Sequence, residues 1–500
     1  MDEKEIVARF SAGAFVAEPG AVSDLAGRGD CEDLIPRIEK RLAAANGFVV
    51  TKKLVDEVLE EKEIEQKSSA AVVVVEATNF KPPAKDIQPR LRMREDLSAP
   101  NKSTCGGSVE DFVEYFRDRF KRGASMVRGR MTNHPLTPIS KLATNPAGVV
   151  RIVGIVADKR ETKNGHVLID LEDEGGTAKC LVSKNSAPAL KQLAADVVYD
   201  EVIAIDGTVY NDLFIAKDII WPETQLREKR LADEDVAVAF ISDLHVGSRF
   251  FLQEHFHKFV RFLRGEGTEE EKAIAGKIKY LFVAGDLVDG IGVYPSQEKE
   301  LVTKDIYMQY EIFSEIMKLV PEYIEVVIIP GNHDAVRIAE PQPALGEEFT
   351  KTLSGYSNIH FAGNPAYAEV HGLTALLYHG SSLFSMVESE PSLAGGYNNP
   401  EKVGVELLKK RHLSPIYGTN PIVPERKDYL VIEEVPDIFH FGHVHKNGYE
   451  NYRGTMIVNS GTWQDVTDYQ IKQGHVPSPC QLPVYNLASG SLNVLKFKEE

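Results

Sequence analysis

At 500 residues the chain is too long for one ordinary core, and about two to four domains are expected. A composition of 43% hydrophobic and 26% charged residues, no run of about 18 apolar residues, and a charged start at Met1-Asp2-Glu3 exclude a membrane span and a secretory leader, so a cytoplasmic protein is expected. The net charge of −17, from 57 basic and 74 acidic side chains, argues against broad autonomous binding of nucleic acid, though not against a nucleic acid met at a local patch or through a partner.

Residues 1–65 read as a helical module. Leu34, Ile35, Ile38 and Leu42 recur at helical spacing, as do Leu54, Val55 and Val58, with Asp33 and Thr51 as helix starts. Residues 66–147 read as a linker. Ala71–Glu76 has the make-up of a short strand, and Pro82, Pro83, Pro89 and Pro100 among charges predict an extended segment beyond it, held only by a partner. Within this stretch, residues 108–122 predict an amphipathic helix capped by Ser108. Its apolar stripe is Val109, Phe112, Val113, Phe116 and Phe120, suited to core packing or to docking on another domain or subunit.

Residues 148–225 read as all-β. Strands at Val149–Val156, Val167–Leu171, Ala178–Val182, Val202–Val209 and Leu213–Ile220, with a helix at Ser186–Ala195, predict an OB-fold barrel. Aromatics are sparse there, Tyr210 and Phe214 standing nearly alone, so a structural or protein-binding role is expected before a stacking platform for single strands. From 232 to 500, strand signals alternate with helices. Ala237–Ile241, Tyr280–Ala284, Ile324–Ile329, Thr374–Tyr378, Ile438–Phe441 and Met456–Val458 each end at or beside a polar motif, where α/β sheets place their sites. Leu482–Phe497 reads as a closing hairpin around Ser489-Gly490. The four cysteines, Cys31, Cys105, Cys180 and Cys480, form no Cys-x-x-Cys pair, which excludes a zinc ribbon and a disulfide framework.

The polar motifs are Asp243-Leu-His245, Gly285-Asp286, Gly331-Asn332-His333-Asp334, Tyr378-His379-Gly380 and Gly442-His443-Val444-His445. Carboxylates, an amide oxygen and imidazoles together suit two divalent transition-metal ions (manganese, iron or zinc) better than calcium. Isolated Gly-Asp or His-Gly pairs are uninformative. Gly-Asn-His-Asp and Gly-His-Val-His, in this order and each after an apolar strand, are specific.

This order resembles the calcineurin-like metallophosphoesterase superfamily. The resemblance implies a multidomain α+β protein that ends in a calcineurin-like α/β sandwich. Asp243, His245, Asp286 and His445 would hold one ion, and Asp286, Asn332, His379 and His443 the other, with Asp286 bridging. His333 would stand beside the scissile phosphate as general acid, oriented by Asp334. Many nucleases of the superfamily carry a histidine three positions after the Gly-Asp pair; this chain has Asp289, whose role stays open.

An OB-fold directly before such a domain resembles the B-subunits of replicative DNA polymerases, most of which have lost the ligands. With all the ligand positions filled, the chain resembles the small subunits of archaeal family-D DNA polymerases. Asn332–Arg337, Glu340–Ala344 and Leu407–Gly418 strengthen the likeness, which covers 148–500 well and the N-terminal part more loosely. It implies a 3′→5′ exonuclease that proofreads single-stranded primer ends. It also implies a heterodimer in which a large catalytic subunit polymerises and binds most of the duplex. Lys409, Lys410, Arg411 and His412 are candidate DNA-backbone contacts, a solvated basic turn being the alternative. The competing expectations are a catalytically idle scaffold and a free-standing repair nuclease or phosphodiesterase.

Overall fold

Apolar runs in this chain become buried strands, and helices then cover the sheet faces that would otherwise meet water. The computed structural model describes all residues except 45–46, 60–79, 131–133, 145–147, 468–469, 472–475 and 499–500. Two units separate, Met1–Glu76 and Ala77–Glu500. The strand expected at 71–76 lies outside the described residues. Among the described residues no helix is long and apolar enough to cross a membrane.

In the first unit, helices Glu3–Ala12, Pro19–Leu25 and Cys31–Ala44 close around Ile6, Phe10, Leu34, Ile35, Ile38 and Leu42. Asp2 and Glu5 form a reciprocal capping box at the first helix. The third helix starts two residues before the expected Asp33, whereas the Thr51 hydroxyl accepts the Leu54 N–H at 3.2 Å as a start residue should.

In the second unit, strands Val150–Glu161, Val167–Asp173, Gly176–Val182, Val202–Tyr210 and Leu213–Ile220 close into a barrel of OB-like form, with helix Pro188–Asp196 between the third and fourth. Neighbours are antiparallel except Gly176–Val182 with Leu213–Ile220, which pair in parallel at Cys180 and Phe214. Alternation sends Ile152, Ile169, Leu171, Ile203, Ile205 and Phe214 into one interior.

Residues from 232 onward, joined by the strand Leu91–Met93, build two six-stranded sheets packed face to face. The first runs Ile359–Phe361, Glu325–Ile329, Ile278–Ala284, Ala237–Ile241, then the hairpin Gln481–Asn486 and Leu492–Lys496. The second runs Asn447–Tyr452, Thr455–Ser460, Ile438–Phe441, Leu373–Tyr378, Ala366–Val370 and Leu91–Met93. Phe240, Phe282, Val327 and Ile329 meet Ala368, Ala375, Leu377 and Val458 between the sheets. Helices Gln253–Leu263 and Ile306–Met317 cover the outer face of the first sheet, and Leu383–Ser389 and Pro400–Lys410 that of the second. Strands inside such layers are apolar throughout, which is why they read as unbroken runs.

Two expectations are corrected here. Residues 80–107 are not an extended linker awaiting a partner. Leu91–Met93 is an edge strand paired with Ala366–Val370, Leu97, Ser98 and Ala99 are buried, and Thr104 is held by Glu425. Proline-rich composition hid this, because Pro89 stands just before an edge strand, where a missing N–H is tolerated.

The amphipathic helix extends over Val109–Arg128, with Ser108 and Asp111 as its capping box. Phe112, Phe116 and Phe120 of its stripe are half-buried, the first two against Tyr417 and the third against the barrel, but the fully buried face is turned away from Val109 and Val113. Val109 is 75% exposed and Val113 42%, while Tyr115, Arg119, Gly123, Ala124 and Val127 are buried. Ala124 and Val127 pack on Val153, Val202 and Ala204 of the barrel. The Arg119 guanidinium donates to Asp428 Oδ2 at 2.8 Å, to the Pro415 carbonyl at 2.8 Å and to the Asp200 carbonyl at 3.1 Å. A buried charge with complete partners outweighs hydrophobic periodicity and sets the helix face.

Candidate metal centre

Every predicted ligand follows the C-terminal end of a strand. Asp243 and His245 follow Ala237–Ile241, Asp286 follows Ile278–Ala284, and Asn332 follows Glu325–Ile329. From the second sheet, His379 follows Leu373–Tyr378, and His443 and His445 follow Ile438–Phe441. The turns are tight. A Cβ on Gly331 would lie 2.2 Å from Asp286 Oδ1, and one on Gly285 would lie 2.6 Å from the Gly331 nitrogen. Only glycine lets the two loops approach so closely.

The side chains form two triads, Asp243 with His245 and His445, and Asp286 with His379 and His443; within each triad the ligand atoms lie within 4.8 Å of one another. Asp286 stands between them, its Oδ2 3.3 Å from His379 Nε2 and 3.7 Å from His245 Nε2. Asn332 Oδ1 lies 2.9 Å from His379 Nε2. The sequence-predicted ligands are thus brought together.

Hydrogen bonds aim the rings. His379 Nδ1 donates to the Ala284 carbonyl at 2.8 Å, and His245 Nδ1 meets Asp289 Oδ1 at 3.1 Å. Each therefore turns its Nε2 inward. Nitrogens face nitrogens across the centre, with His245 Nε2 3.0 Å from His445 Nε2 and His443 Nδ1 3.2 Å from His379 Nε2. Burial opposes ionisation of Asp286, yet the His379, His333 and His245 imidazoles outweigh it and hold the carboxyl well below the usual range. Burial also pushes His379 down, but Asp286 and Asp243 prevail and raise it to about 10. Burial, then His379 beside it, pushes His443 down to about 3. In this buried cage the His379 proton balances the ionised carboxylates, a role that bound cations would take over. The donor set of the cage fits divalent transition-metal ions.

Residues 238–448, which contain every one of these ligands, match the family model for the B-subunit of DNA polymerase alpha/epsilon. An Archaeoglobus fulgidus protein named DNA polymerase II small subunit is 36% identical over 514 residues, covering 100% of this chain and 99% of its own. A Methanocaldococcus jannaschii protein of the same name is 44% identical over 411 residues, covering 81% of this chain and 68% of its own. The chain belongs to the archaeal DNA polymerase II (family D) small-subunit family. A solved structure described as a novel archaeal phosphodiesterase covers 52% of this chain and 99% of its own, at 11% identity and a TM-score of 0.26, too remote to add to that assignment.

In this chain His333 stands half-buried beside the ligands, its ring 4.6 Å from that of His245. Its Nδ1 donates to the Asp289 carbonyl at 2.7 Å. A carbonyl only accepts, so Nε2 is left as the nitrogen available for chemistry. Asp334 does not orient this ring, contrary to expectation. Its carboxylate accepts from the Gly331 N–H at 2.8 Å, the Leu287 N–H at 3.2 Å and the Tyr310 hydroxyl at 3.0 Å, tying two ligand loops to helix Ile306–Met317. Burial and the neighbouring Asp286 raise the Asp334 carboxyl to about 6.

Asp289 takes the orienting role. Its carboxylate holds His245 and accepts from Gln464 at 3.2 Å and Gln297 at 2.9 Å, while its carbonyl holds His333. Sequence reasoning left this role open and missed Gln297, Gln464 and Tyr310, which lie outside the motifs. The one available signal was an acidic residue three positions after Asp286.

The expected DNA-contacting run is also corrected. Lys410 is buried, with Nζ 3.0 Å from Glu201 Oε2 and 3.2 Å from Glu390 Oε2. Arg411 donates to the Ile432 and Glu433 carbonyls at 2.7 and 2.6 Å. His412 Nε2 lies 2.8 Å from Asp428 Oδ2, and Lys409 pairs with Glu406 at 3.0 Å while lying over the Trp221 ring. Glu201 and Trp221 flank barrel strands, so these side chains fasten barrel to sandwich. The carboxylate partners of Lys410 and His412, Glu201 and Asp428 among them, lie outside the run, which made it look solvated.

Proposed function

We propose that this chain is the 3′→5′ exonuclease of a two-subunit replicative DNA polymerase, hydrolysing phosphodiesters at unpaired primer ends. A large subunit would polymerise and hold the duplex, and this chain would also support assembly. The observation that carries the reading is the complete ligand set converging around Asp286, with His333 poised beside it. An idle scaffold has no need of that convergence.

Asp243, His245, Asp286 and His445 would hold one ion, and Asp286, Asn332, His379 and His443 the other. When bound, such ions supply Lewis acidity, activating water at neutral pH and offsetting charge on the phosphate. Asp289 fixes the ring planes of His245 and His333 through its carboxylate and its carbonyl. In its protonated form, His333 would give the Nε2 proton to the departing 3′-oxygen. Asp334 keeps the two loops in register, so the strand phosphate meets a preset site.

The test is release of nucleotides from a mismatched primer with manganese. Wild type should degrade the end, His333→Ala should be slower by about 100- to 10,000-fold, and Asp286→Ala should be inactive. Full activity in both variants would remove the mechanism.

A further inference from the structure

We propose that the pocket before the metal centre is a base-stacking collar, which takes the terminal nucleoside of an unpaired strand against Tyr294 at the His333 edge and against Phe384 and Tyr397 at the His443 edge. The proposal rests on the reading of the centre as a DNA phosphodiesterase and names how that site chooses its substrate.

Three observations carry it. First, the pocket encloses about 540 Å³, within the range that takes a drug-sized ligand and hence one nucleoside. Second, aromatic rings adjoin the cage at two places. Tyr294 lies 6.1 Å from the His333 ring, Phe384 lies 5.0 Å from the His443 ring, and Tyr397 lies 5.3 Å from Phe384. All three are half-buried and line the cavity. Third, no lysine or arginine is found among the described lining residues, and Glu388 adds negative charge there. Once the metal centre has engaged one phosphate, the described lining offers backbone charge no lysine or arginine to grip. The rings remain as the source of affinity.

Only an unpaired nucleoside can use such rings. Inside a duplex each base is paired at its edge and stacked on both sides, and a paired terminal base offers only its outer face, so rings at two edges of a pocket need an unpaired base that can leave the helix. A frayed or mismatched terminus has a face to offer. Because every base has a π-face, the selection tolerates any sequence while distinguishing unpaired from paired ends.

The test uses the full chain with manganese and a single strand ending in 2-aminopurine, its linkages phosphorothioate to resist hydrolysis. Stacking quenches 2-aminopurine emission, so wild type should quench it on binding. Tyr294→Ala and Tyr397→Ala should restore emission and weaken binding by about five- to a hundredfold. Tyr294→Phe and Tyr397→Phe keep the rings and should keep the quench, which separates loss of stacking from loss of folding. A strand with an abasic end should bind wild type as weakly as the alanine variants bind the base-bearing one. Unchanged quenching in both alanine variants, or equal binding of the abasic strand, would overturn the collar. Hydrolysis of an ordinary strand, assayed alongside, separates the two readings. Cleavage without quenching removes the collar alone, and quenching without cleavage removes the exonuclease alone.

Discussion

Asp243, His245, Asp286, His443 and His445 all have φ between 52° and 72°, in the left-handed region that side chains with a Cβ rarely enter. Each such residue costs on the order of 1–3 kcal/mol and persists only where its surroundings over-determine it. Asp243 and His245, two apart on the loop after their strand, reach the same centre. The residue types were legible from sequence because hard and borderline metal ligands are a short menu. Their orienting partners were not, since Gln464 stands 175 positions from Asp289. Asp289→Ala should therefore weaken manganese binding by about 10- to 100-fold, read by titration calorimetry, and unchanged affinity would detach Asp289 from His245. Asp334→Ala should instead act on stability, since it strips buried N–H and O–H groups of their acceptor at about 1–3 kcal/mol each. A fall in melting temperature checks it; an unaltered melt would deny Asp334 its role between the loops.

At the scale of elements, strands were readable and helix faces less so. A buried strand is apolar on both sides, whereas helix Val109–Arg128 turns Arg119 inward and leaves Val109 in water. No pattern of apolar residues announces a face chosen by Asp428, which is 309 positions away. Replacing Arg119 by Ala should cost about 3–5 kcal/mol, because it abandons a buried carboxylate; urea denaturation reads it, and a change below about 1 kcal/mol would contradict the buried pair.

His412 gives this contact a pH dependence. Its Nε2 faces Asp428 while its Nδ1 accepts the Ser414 N–H at 3.0 Å, an arrangement of the neutral ring. Burial, then the nearby Arg119 charge, pushes it down to about 4 from an ordinary 6.5. Below pH 6.5 the unfolded chain binds a proton that the folded chain refuses. Stability should therefore fall as pH drops from about 6.5 to about 4, by on the order of 3 kcal/mol, then level for this group. His412→Gln should flatten that part of the curve of urea midpoint against pH; an identical slope would assign the loss elsewhere.

Across the whole molecule, the buried Lys410 with Glu201 and Glu390 joins barrel to sandwich. Calorimetry should show the two melting as one transition, and a separate barrel transition would contradict the junction. The order of domains was legible because barrel strands and sandwich strands differ in spacing. The junction was not, since it is made of charges that sequence reasoning places in water. Under the proposed function, a net charge of −17 would suit work at one strand end while a partner holds the duplex. All of this depends on the motifs forming one two-metal centre around Asp286. Elemental analysis of the purified chain, loaded with manganese and desalted, tests that most directly. Two ions per chain in wild type, with at least one lost in Asp286→Ala, is the predicted result. No retained metal in wild type, or the same content in the variant, would contradict it.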